Sequence, residues 1–536
     1  MMNDGKDYTH RSWLAAAALI AVLVCVSLIP PRSVGGVSLR RANILSDLID
    51  FGDEEAAPAA SQVPLDEEEF RIDLEKVAEQ LARHSAAAPP EPTESPADTL
   101  FAPVQTTFEW TIGTADTTLH PVCANNLPPA DVLQPIEDFD TTGSSPLQAL
   151  YDKLLDGRPV RIAVLGDSFI EGDILTADLR ETLQETYGGS GTGFAPMASP
   201  LTGFRRTVRT SAKGWTPYNI MQYKTTPRPL RSDFFVSGWV CRPENGAQTR
   251  WEGTDARRRL DPCEGARILF LSRGDSRVEV GINDTLHRTF TVRGADVLRQ
   301  IAVSGGPIHS LSFRVAEGAP GVVGYGALLG TAGAGVDNYS VRSNNGQALF
   351  RTNPALNAQA QAMIGYDLVV LQYGLNIMQQ GIRNYANYGT QIVKMIAYVR
   401  QCFPSAAVLV MGVSDRSVRT DRGFEPMDAI PYMIACQRGA AAAQGAAFWD
   451  TAAAMGAMGG MERFVANGWA GKDYTHINFA GGREVARALA DALHDGVRRS
   501  AHEREERRLR EERSQCVADS LRQAVRERLM APVAIK

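Results

Sequence analysis

The chain has 536 residues, of which 44% are hydrophobic and 22% charged, and this ordinary composition excludes a collagen-like, a fully disordered and a multi-pass membrane protein. Its 55 Lys+Arg and 61 Asp+Glu give a net charge of -6, which argues against nucleic acid as the main partner. Seven cysteines without a Cys-x-x-Cys spacing predict neither a disulfide scaffold nor a metal centre, and no cofactor is expected.

The acidity is confined to one segment of the chain. Residues 51–100 carry 13 acidic and 3 basic side chains, and residues 498–536 carry 7 acidic and 11 basic ones. The rest of the chain is balanced, so the sequence predicts a neutral folded body. The Ala-, Pro- and Glu-rich segment 51–100 cannot bury enough apolar surface to fold, and we expect it to act as a tether.

An uncharged stretch of 17 residues, Trp13–Ile29, lies near the N-terminus. A membrane-spanning helix needs about 17 to 25 such residues, so this stretch predicts a membrane anchor. We favour an uncleaved anchor over a cleaved signal peptide because Pro30 and Pro31 follow at once and no small-residue cleavage site is present. Basic residues flank both sides, so charge alone does not orient the anchor.

The folded body is predicted to begin near Ser145, which caps an amphipathic helix that Gly157 ends. Val160–Leu165 is a short, buried and β-branched run that predicts a strand. Residues 173–188 then show helical periodicity. The order of strand, tight turn and helix is typical of an α/β domain with a parallel sheet.

Residues 205–320 differ in character, because short aromatic and β-branched runs, such as DFFVSGWV at 233–240, are predicted to be strands and alternate with Gly, Asn and Pro turns. This pattern predicts an inserted β-sandwich. Cys241 and Cys263 within it are expected either to pair in an oxidising compartment or to be buried free thiols. Buried strands return at Tyr366–Gly374 and Ala406–Ser414, so the α/β domain is predicted to resume after the insertion.

Polar side chains that could take part in catalysis follow these predicted strands. Gly166-Asp167-Ser168 follows the first strand, and Asn376 follows the strand that ends near Gly374. Asp473 and His476 stand three residues apart just before a predicted helix, and Tyr339–Gly346 supplies a turn of small residues. Because parallel strands present their carboxyl ends at one edge, these groups are expected to meet there.

Together these four blocks resemble the SGNH/GDSL hydrolase family over residues 145–204 and 321–496. The first block, with its Gly191–Pro196 loop, is closest to the peptidoglycan and polysaccharide O-acetylesterases that carry an inserted carbohydrate-binding-module-like β domain. The resemblance implies a flavodoxin-like, three-layer α/β/α fold with a parallel sheet, interrupted by a β-sandwich.

The resemblance also implies the catalytic roles. Ser168 is expected to be the nucleophile, and His476 the base that takes its proton and later protonates the leaving sugar alcohol. Asp473 is expected to hold the imidazole tautomer and stabilise the imidazolium.

The oxyanion hole is expected to combine the Ser168 amide N–H, the Ser343 amide N–H and the Asn376 side chain. The family has a glycine in its second block, which is matched here by the turn Tyr339–Gly346. Gly346 and Gly335 are therefore alternatives to Ser343.

The candidate substrate-binding residues are Asp167, Gly374, Trp215 and Trp239. Core packing is the alternative use of the two tryptophans, and of the neighbouring Trp251.

With the apolar stretch, the resemblance implies an esterase that removes O-acetyl groups from an envelope glycan, with peptidoglycan as the expected substrate. It is expected to be anchored to the cytoplasmic membrane with its catalytic domain outside. The alternatives are a glycan O-acetyltransferase and a catalytically inactive glycan-binding protein. The predicted organisation is an anchor (1–31), a tether and lead-in (32–144), the first α/β part (145–204), the β insertion (205–320), the second α/β part (321–496) and a charged C-terminal helix (497–536).

Overall fold

The computed structural model describes residues 104–114, 118–123, 126–127, 132–143, 145–200 and 203–530. Before these it describes only the backbone of two short antiparallel strands, β1 (Ser33–Val34) and β2 (Val37–Ser38). The predicted anchor at Trp13–Ile29 and the tether lie outside the described residues. None of the helices in the described ranges has the length and apolarity to cross a membrane.

The chain divides into two compact units, Met1–Glu67 and Glu68–Lys536. The hairpin of β1 and β2 belongs to the first, and everything below concerns the second. Its first half contains β3 (Thr107–Thr111), β4 (Glu137–Asp138), α1 (Pro146–Leu155), β5 (Val160–Gly166), α2 (Thr176–Tyr187), β6 (Gly193–Pro196), β7 (Val208–Asn219), β8 (Trp239–Gly253), β9 (Cys263–Ser272), β10 (Ser276–Ile282), β11 (Leu286–Val292), β12 (Ala295–Ile308) and β13 (Ser310–Glu317).

The second half returns to alternating strands and helices. It contains β14 (Val322–Leu329), β15 (Ala334–Ser340), α3 (Pro354–Ile364), β16 (Leu368–Gln372), α4 (Ala386–Cys402), β17 (Ala407–Met411), β18 (Ser417–Thr420), β19 (Gly423–Pro426), α5 (Ile430–Ala443), β20 (Ala447–Trp449), α6 (Thr451–Ala457), α7 (Gly460–Ala466) and α8 (Phe479–Met530).

A six-stranded sheet forms the centre of the α/β part, in the order β15-β5-β16-β17-β20-β4. All neighbours in it are parallel except β20 and β4, which are antiparallel. Every residue of β5, β16 and β17 is buried. Strands that are covered on both faces consist of continuous apolar runs, which is why the sequence revealed these three readily.

The predicted helices of the α/β part are confirmed. Ser145 caps α1, since its Oγ accepts the Leu147 N–H at 3.1 Å. The C-terminal helix differs from the prediction, because the helix after His476 and the charged tail form one continuous helix, α8, of 52 residues. Gly496 stands at the predicted boundary, but it does not adopt the positive φ with which a glycine ends a helix, so the helix continues past the body into solvent.

The second large sheet has ten strands and joins segments that are far apart in sequence. Most of them come from residues 205–320, but β3 pairs in parallel with β12, and β6 pairs with β14. The strands are hydrogen-bonded into one connected, mainly antiparallel sheet. Its core is a separate apolar cluster that includes Ile268, Phe270 and Phe313.

Two local expectations are corrected within this region. The run DFFVSGWV is not one strand, because Phe234 and Phe235 pack in the apolar core of the α/β part and only Trp239 begins a strand. The Gly193–Pro196 stretch is a strand, β6, and not a loop. Gly193 is required there, since a Cβ would lie 2.4 Å from the Val336 carbonyl oxygen.

Cys241 and Cys263 are both buried free thiols, so the alternative of a disulfide between them is wrong. Burial raises the pKa of each thiol to about 12, which keeps both protonated and unreactive at neutral pH.

Candidate active site

Three adjacent parallel strands end side by side and carry the predicted site residues. The last residues of β15 and β16, Ser340 and Gln372, are both in register with Gly166 at the end of β5. The turns that follow these strands bear Ser343, Asn376 and Ser168 respectively. The parallel register therefore places three predicted site residues at one edge of the sheet.

Three hydrogen bonds hold these turns together. The Val341 N–H donates to the Gly166 carbonyl at 2.9 Å. The Asn376 side-chain amide donates to the Asp167 Oδ2 at 2.9 Å and to the Asn344 carbonyl at 3.1 Å. Both hydrogens of the Asn376 amide are thus engaged within the protein, and an oxyanion would have to share or take over one of them.

Ser168, His476 and Asp473 form a continuous chain of hydrogen bonds. The Ser168 Oγ lies 3.3 Å from the His476 Nε2, and the His476 Nδ1 lies 2.6 Å from the Asp473 Oδ2. The other carboxylate oxygen of Asp473 accepts the backbone N–H groups of His476 and Thr475, each at 3.1 Å. The sequence spacing Asp-x-x-His thus places both the ring and the backbone of His476 against one carboxylate.

A small hairpin that the sequence did not reveal supports this loop. Ser417 in β18 donates its N–H to the Tyr474 carbonyl at 3.0 Å. Phe424 in β19 stacks on the Tyr474 ring, with 3.7 Å between ring centroids. Tyr474 has a φ of 52°, in the left-handed region that a tyrosine rarely adopts. These contacts hold Tyr474 in that conformation, and with it the turn between Asp473 and His476.

The electrostatics favour an ionised Asp473 beside His476. Burial opposes the charge of Asp473, but hydrogen bonds from the His476 ring and from the His476 and Thr475 backbone lower its pKa to about 2. The hydrogen bond to Asp473 raises the pKa of His476 above its ordinary value of about 6.5. Both side chains are about half exposed, at 55% for His476 and 52% for Asp473, so an entering substrate can reach the imidazole.

Asp167 and Gly374 do not have the surface that substrate binding would require. The Asp167 carboxylate is fully buried and accepts hydrogen bonds from Asn376 and from the Phe169 N–H. Its burial raises its pKa to about 7, against the effect of those hydrogen bonds. Gly374 is buried, and a Cβ there would lie 2.7 Å from the Val413 side chain. Asp167 contacts the site through Asn376, and Gly374 serves close packing.

Ser343 lies in the turn after β15, at the position that the resemblance assigns to the family's second-block glycine. Its φ of 61° is in the left-handed region, where glycine is favoured, and the residue is exposed. Of the two alternatives, Gly335 lies inside β15, and the Gly346 N–H donates to the Asn344 Oδ1 at 2.9 Å. Ser343 is the exposed residue of the three, whereas Gly335 and Gly346 are buried, and its role as an amide donor stays a prediction.

We expect Ser343→Gly to raise the free energy of unfolding by up to about 1 kcal/mol, because it removes a Cβ from a left-handed position. Ser340→Gly is the matched control, since Ser340 is extended in β15 and glycine should lower stability there. Chemical denaturation of both variants checks this. Equal losses of stability in both would contradict the left-handed conformation of Ser343.

The tryptophans predicted to bind substrate lie near this edge of the sheet. Trp215 and Trp239 both line an open groove of about 920 Å³ that also borders Ser343. Trp251 is fully buried, so it serves the core of the second sheet.

Within the described ranges, no three His, Cys, Asp or Glu side chains are grouped in a way that could hold a metal ion.

No protein-family model matches the chain, and neither does any curated protein. Several solved structures resemble it. A peptidoglycan O-acetylesterase superposes with a TM-score of 0.56 at 20% identity, covering 68% of this chain and 99% of its own.

Two further solved structures give lower scores. A carbohydrate esterase family 2 enzyme with a carbohydrate binding domain, from Corynascus thermopiles, has a TM-score of 0.23 at 13% identity and covers 47% of this chain and 94% of its own. The acetyl xylan esterase AlAXEase has a TM-score of 0.22 at 17% identity and covers 29% and 79%. The first of the three likenesses is the one that carries weight: the chain shares its fold with a solved peptidoglycan O-acetylesterase.

Proposed function

We propose that this protein is a serine esterase that removes O-acetyl groups from an envelope glycan, with peptidoglycan as its substrate. The observation that carries the proposal is the chain of hydrogen bonds from Ser168 through His476 to Asp473 at an open sheet edge. The shared fold with a peptidoglycan O-acetylesterase supports it independently.

The finer architecture belongs to the same proposal. The parallel order β15-β5-β16-β17-β20 is what an SGNH-type α/β/α domain requires. The mainly antiparallel second sheet, all of whose strands except β3 lie between α2 and β15 in the chain, supports an inserted β domain of the carbohydrate-binding type. We infer that this insertion packs as a sandwich and that the surrounding α/β part carries the chemistry.

The proposed reaction begins when the His476 Nε2 takes the proton of Ser168, whose oxygen attacks the acetyl carbonyl. The tetrahedral intermediate collapses as His476 returns that proton to the leaving sugar oxygen, and acetyl-Ser168 remains. A water molecule, deprotonated by His476, then releases acetate and restores Ser168. Asp473 stays ionised throughout and stabilises the imidazolium.

The oxyanion would be bound by the amide N–H groups of Ser168 and Ser343 and by the Asn376 side chain. Asn376 can take part if one hydrogen now bonded to the Asn344 carbonyl or to Asp167 turns toward the oxyanion.

We also infer a location in the cell envelope, with the chain anchored to the cytoplasmic membrane and the esterase outside. This rests on the apolar Trp13–Ile29 stretch and on the acidic residues 51–100 that follow it. Immunoblotting of membrane and soluble fractions, with a deletion of residues 1–31 as the comparison, tests it.

The proposed activity is tested by incubating the purified chain with O-acetylated peptidoglycan and measuring free acetate and remaining glycan ester. Acetate release by the wild type, and its absence with Ser168→Ala, supports an esterase. Transfer of most of the acetate to an added glycan acceptor would instead identify an acetyltransferase. Binding of peptidoglycan without any turnover would identify a non-catalytic glycan-binding protein.

We expect Asn376→Ala to lower kcat by about 10²- to 10³-fold, because one donor to the oxyanion is lost. KM for the ester should change little, since this interaction strengthens only in the transition state. Steady-state kinetics with an aryl acetate measure both constants. A fall of less than threefold in a variant with an unchanged thermal unfolding curve would remove Asn376 from the oxyanion hole.

A further inference from the structure

The open groove beside Ser343 joins the candidate active site to the second sheet. Its volume is about 920 Å³, within the range of sites that hold ligands of several rings. One side is formed by Glu171, Arg342 and Ser343, which lie in the turns that follow β5 and β15 at the sheet edge. The other side is formed largely by β7, so both parts of the body contribute to it.

The charge of this lining is neutral overall. Its two charged residues, Glu171 and Arg342, bind each other, with the Arg342 Nε 3.0 Å from the Glu171 Oε2. The Glu171 side chain is only 2% exposed, so its charge is directed at Arg342 and not at solvent. The other polar side chains of the groove are hydroxyls and amides, including Thr210, Ser211 and Gln222. Such a lining suits hydroxyl groups and amides better than it suits a polyanion.

Flat apolar surfaces accompany these polar groups. Trp215 and Trp239 are half-buried, and Met221 is 40% exposed. Trp215 is held in place, because its ring stacks at 25° on Phe313 with 6.3 Å between centroids. Gly324 permits this packing, since a Cβ there would lie 2.7 Å from the Trp215 ring. A rigid aromatic ring in a concave site binds a flat ligand at little entropic cost.

We propose that this groove binds a run of uncharged sugar rings of the glycan. These rings neighbour the acetylated sugar along the glycan strand. The C–H faces of the sugars pack on Trp215 and Trp239, and their hydroxyl and acetamido groups bond to the polar lining. The enzyme therefore recognises the glycan chain and not the acetyl ester alone. This inference rests on the proposed function, because it takes Ser168 as the site of reaction.

Binding is tested in the Ser168→Ala background, so that turnover does not interfere, by sedimentation with insoluble peptidoglycan. Trp239→Ala removes a stacking surface, and Ser211→Arg fills the groove from an exposed position. We expect each to raise Kd by about tenfold. Trp110→Ala is the matched control, since Trp110 is a half-buried tryptophan of β3 that does not line the groove, and its Kd should not change.

Competition identifies the ligand chemistry. Soluble chitohexaose, a neutral N-acetylated glycan, should displace the protein from peptidoglycan, and a synthetic stem peptide should not. Displacement by the peptide alone would overturn the proposal, and so would unchanged binding in Ser211→Arg. Should Trp239→Ala fail to fold, Ser211→Arg decides by itself.

Kinetics separate this inference from the proposed function. With Ser168 intact, Trp239→Ala and Ser211→Arg should lower the ratio of kcat/KM on O-acetylated peptidoglycan to kcat/KM on 4-nitrophenyl acetate by about tenfold. An active wild type whose ratio is unchanged in both variants overturns the groove and leaves the esterase intact. A wild type that binds through the groove but releases no acetate overturns the esterase instead.

Discussion

Ser168→Ala should lower kcat for ester hydrolysis by about 10⁴- to 10⁶-fold, the largest effect expected of any substitution in this chain. The reason is that the proposed mechanism transfers the acetyl group to the Ser168 oxygen, and an alanine has no atom that can accept it. The residual rate should come only from substrate binding and the oxyanion donors. Measurement of acetate release over hours, at enzyme concentrations high enough to detect the residual rate, checks the size of the loss.

The matched control for this substitution is Ser514→Ala. Ser514 is an exposed serine on α8, about 50 Å along the helix from its start. Its replacement should leave kcat within a factor of two. Two further outcomes would remove Ser168 from the mechanism: equal rates for wild type and Ser168→Ala, or failure of an acylating fluorophosphonate probe to label Ser168.

Asp473→Asn should lower kcat/KM by about 10²- to 10⁴-fold. The ionised carboxylate accepts the His476 Nδ1 hydrogen at 2.6 Å, and an asparagine amide can present its N–H there and stabilise the wrong tautomer. We place the effect below that of Ser168→Ala because Asp473 is half exposed, so water can replace part of its interaction with the imidazolium. Asp519→Asn on the solvent-exposed part of α8 is the matched control.

The same variant should shift the pH dependence of hydrolysis. His476 acts as a base only when it is neutral, so the rate falls as the pH drops through its pKa. The carboxylate of Asp473 raises that pKa above about 6.5, and the acid limb of the wild type should lie correspondingly high. Removing the negative charge lowers the pKa, so the acid limb of Asp473→Asn should move to lower pH. Asp473 itself, with a pKa of about 2, remains ionised throughout the neutral range.

Profiles of kcat/KM against pH between 5 and 9 measure this shift for both enzymes. An acid limb that stays in place, or moves upward, in Asp473→Asn would show that His476 is not the titrating base. Asp167, whose pKa is raised to about 7 by burial, titrates in the same window. Asp167→Asn should therefore be profiled in parallel, because it removes the titration of Asp167 and keeps an oxygen that can accept the hydrogen bond from Asn376.

The sequence was most informative where one residue and its neighbours determine the local structure. Buried apolar runs predicted β5, β16 and β17, because a strand covered on both faces has no alternation to obscure it. The Asp-x-x-His spacing predicted the pairing of Asp473 with His476, since three residues of chain keep the two within reach. Ser145 predicted the start of α1 for the same local reason.

The sequence was less informative where pairing is long-range. It did not predict that β3 would pair with β12 or β6 with β14, because strand pairing between distant segments leaves no local signal. It assigned Phe234 to a strand, since an aromatic run looks alike in a sheet and in a loop packed on a core. The support of Tyr474 by Phe424 likewise joins residues 50 positions apart.

The sequence by itself determined the chemistry available to this protein: a serine after a buried strand, an asparagine after another, and an acid and a histidine on one turn. The tertiary structure decided which of these groups meet. The parallel register aligned the ends of β15, β5 and β16, and so brought Ser343, Ser168 and Asn376 to one edge of the sheet. Asp167 and Gly374 are buried beneath that edge and are not accessible from it. The groove along β7 also exists only in three dimensions, because its sides come from segments whose contact depends on the packing of two sheets.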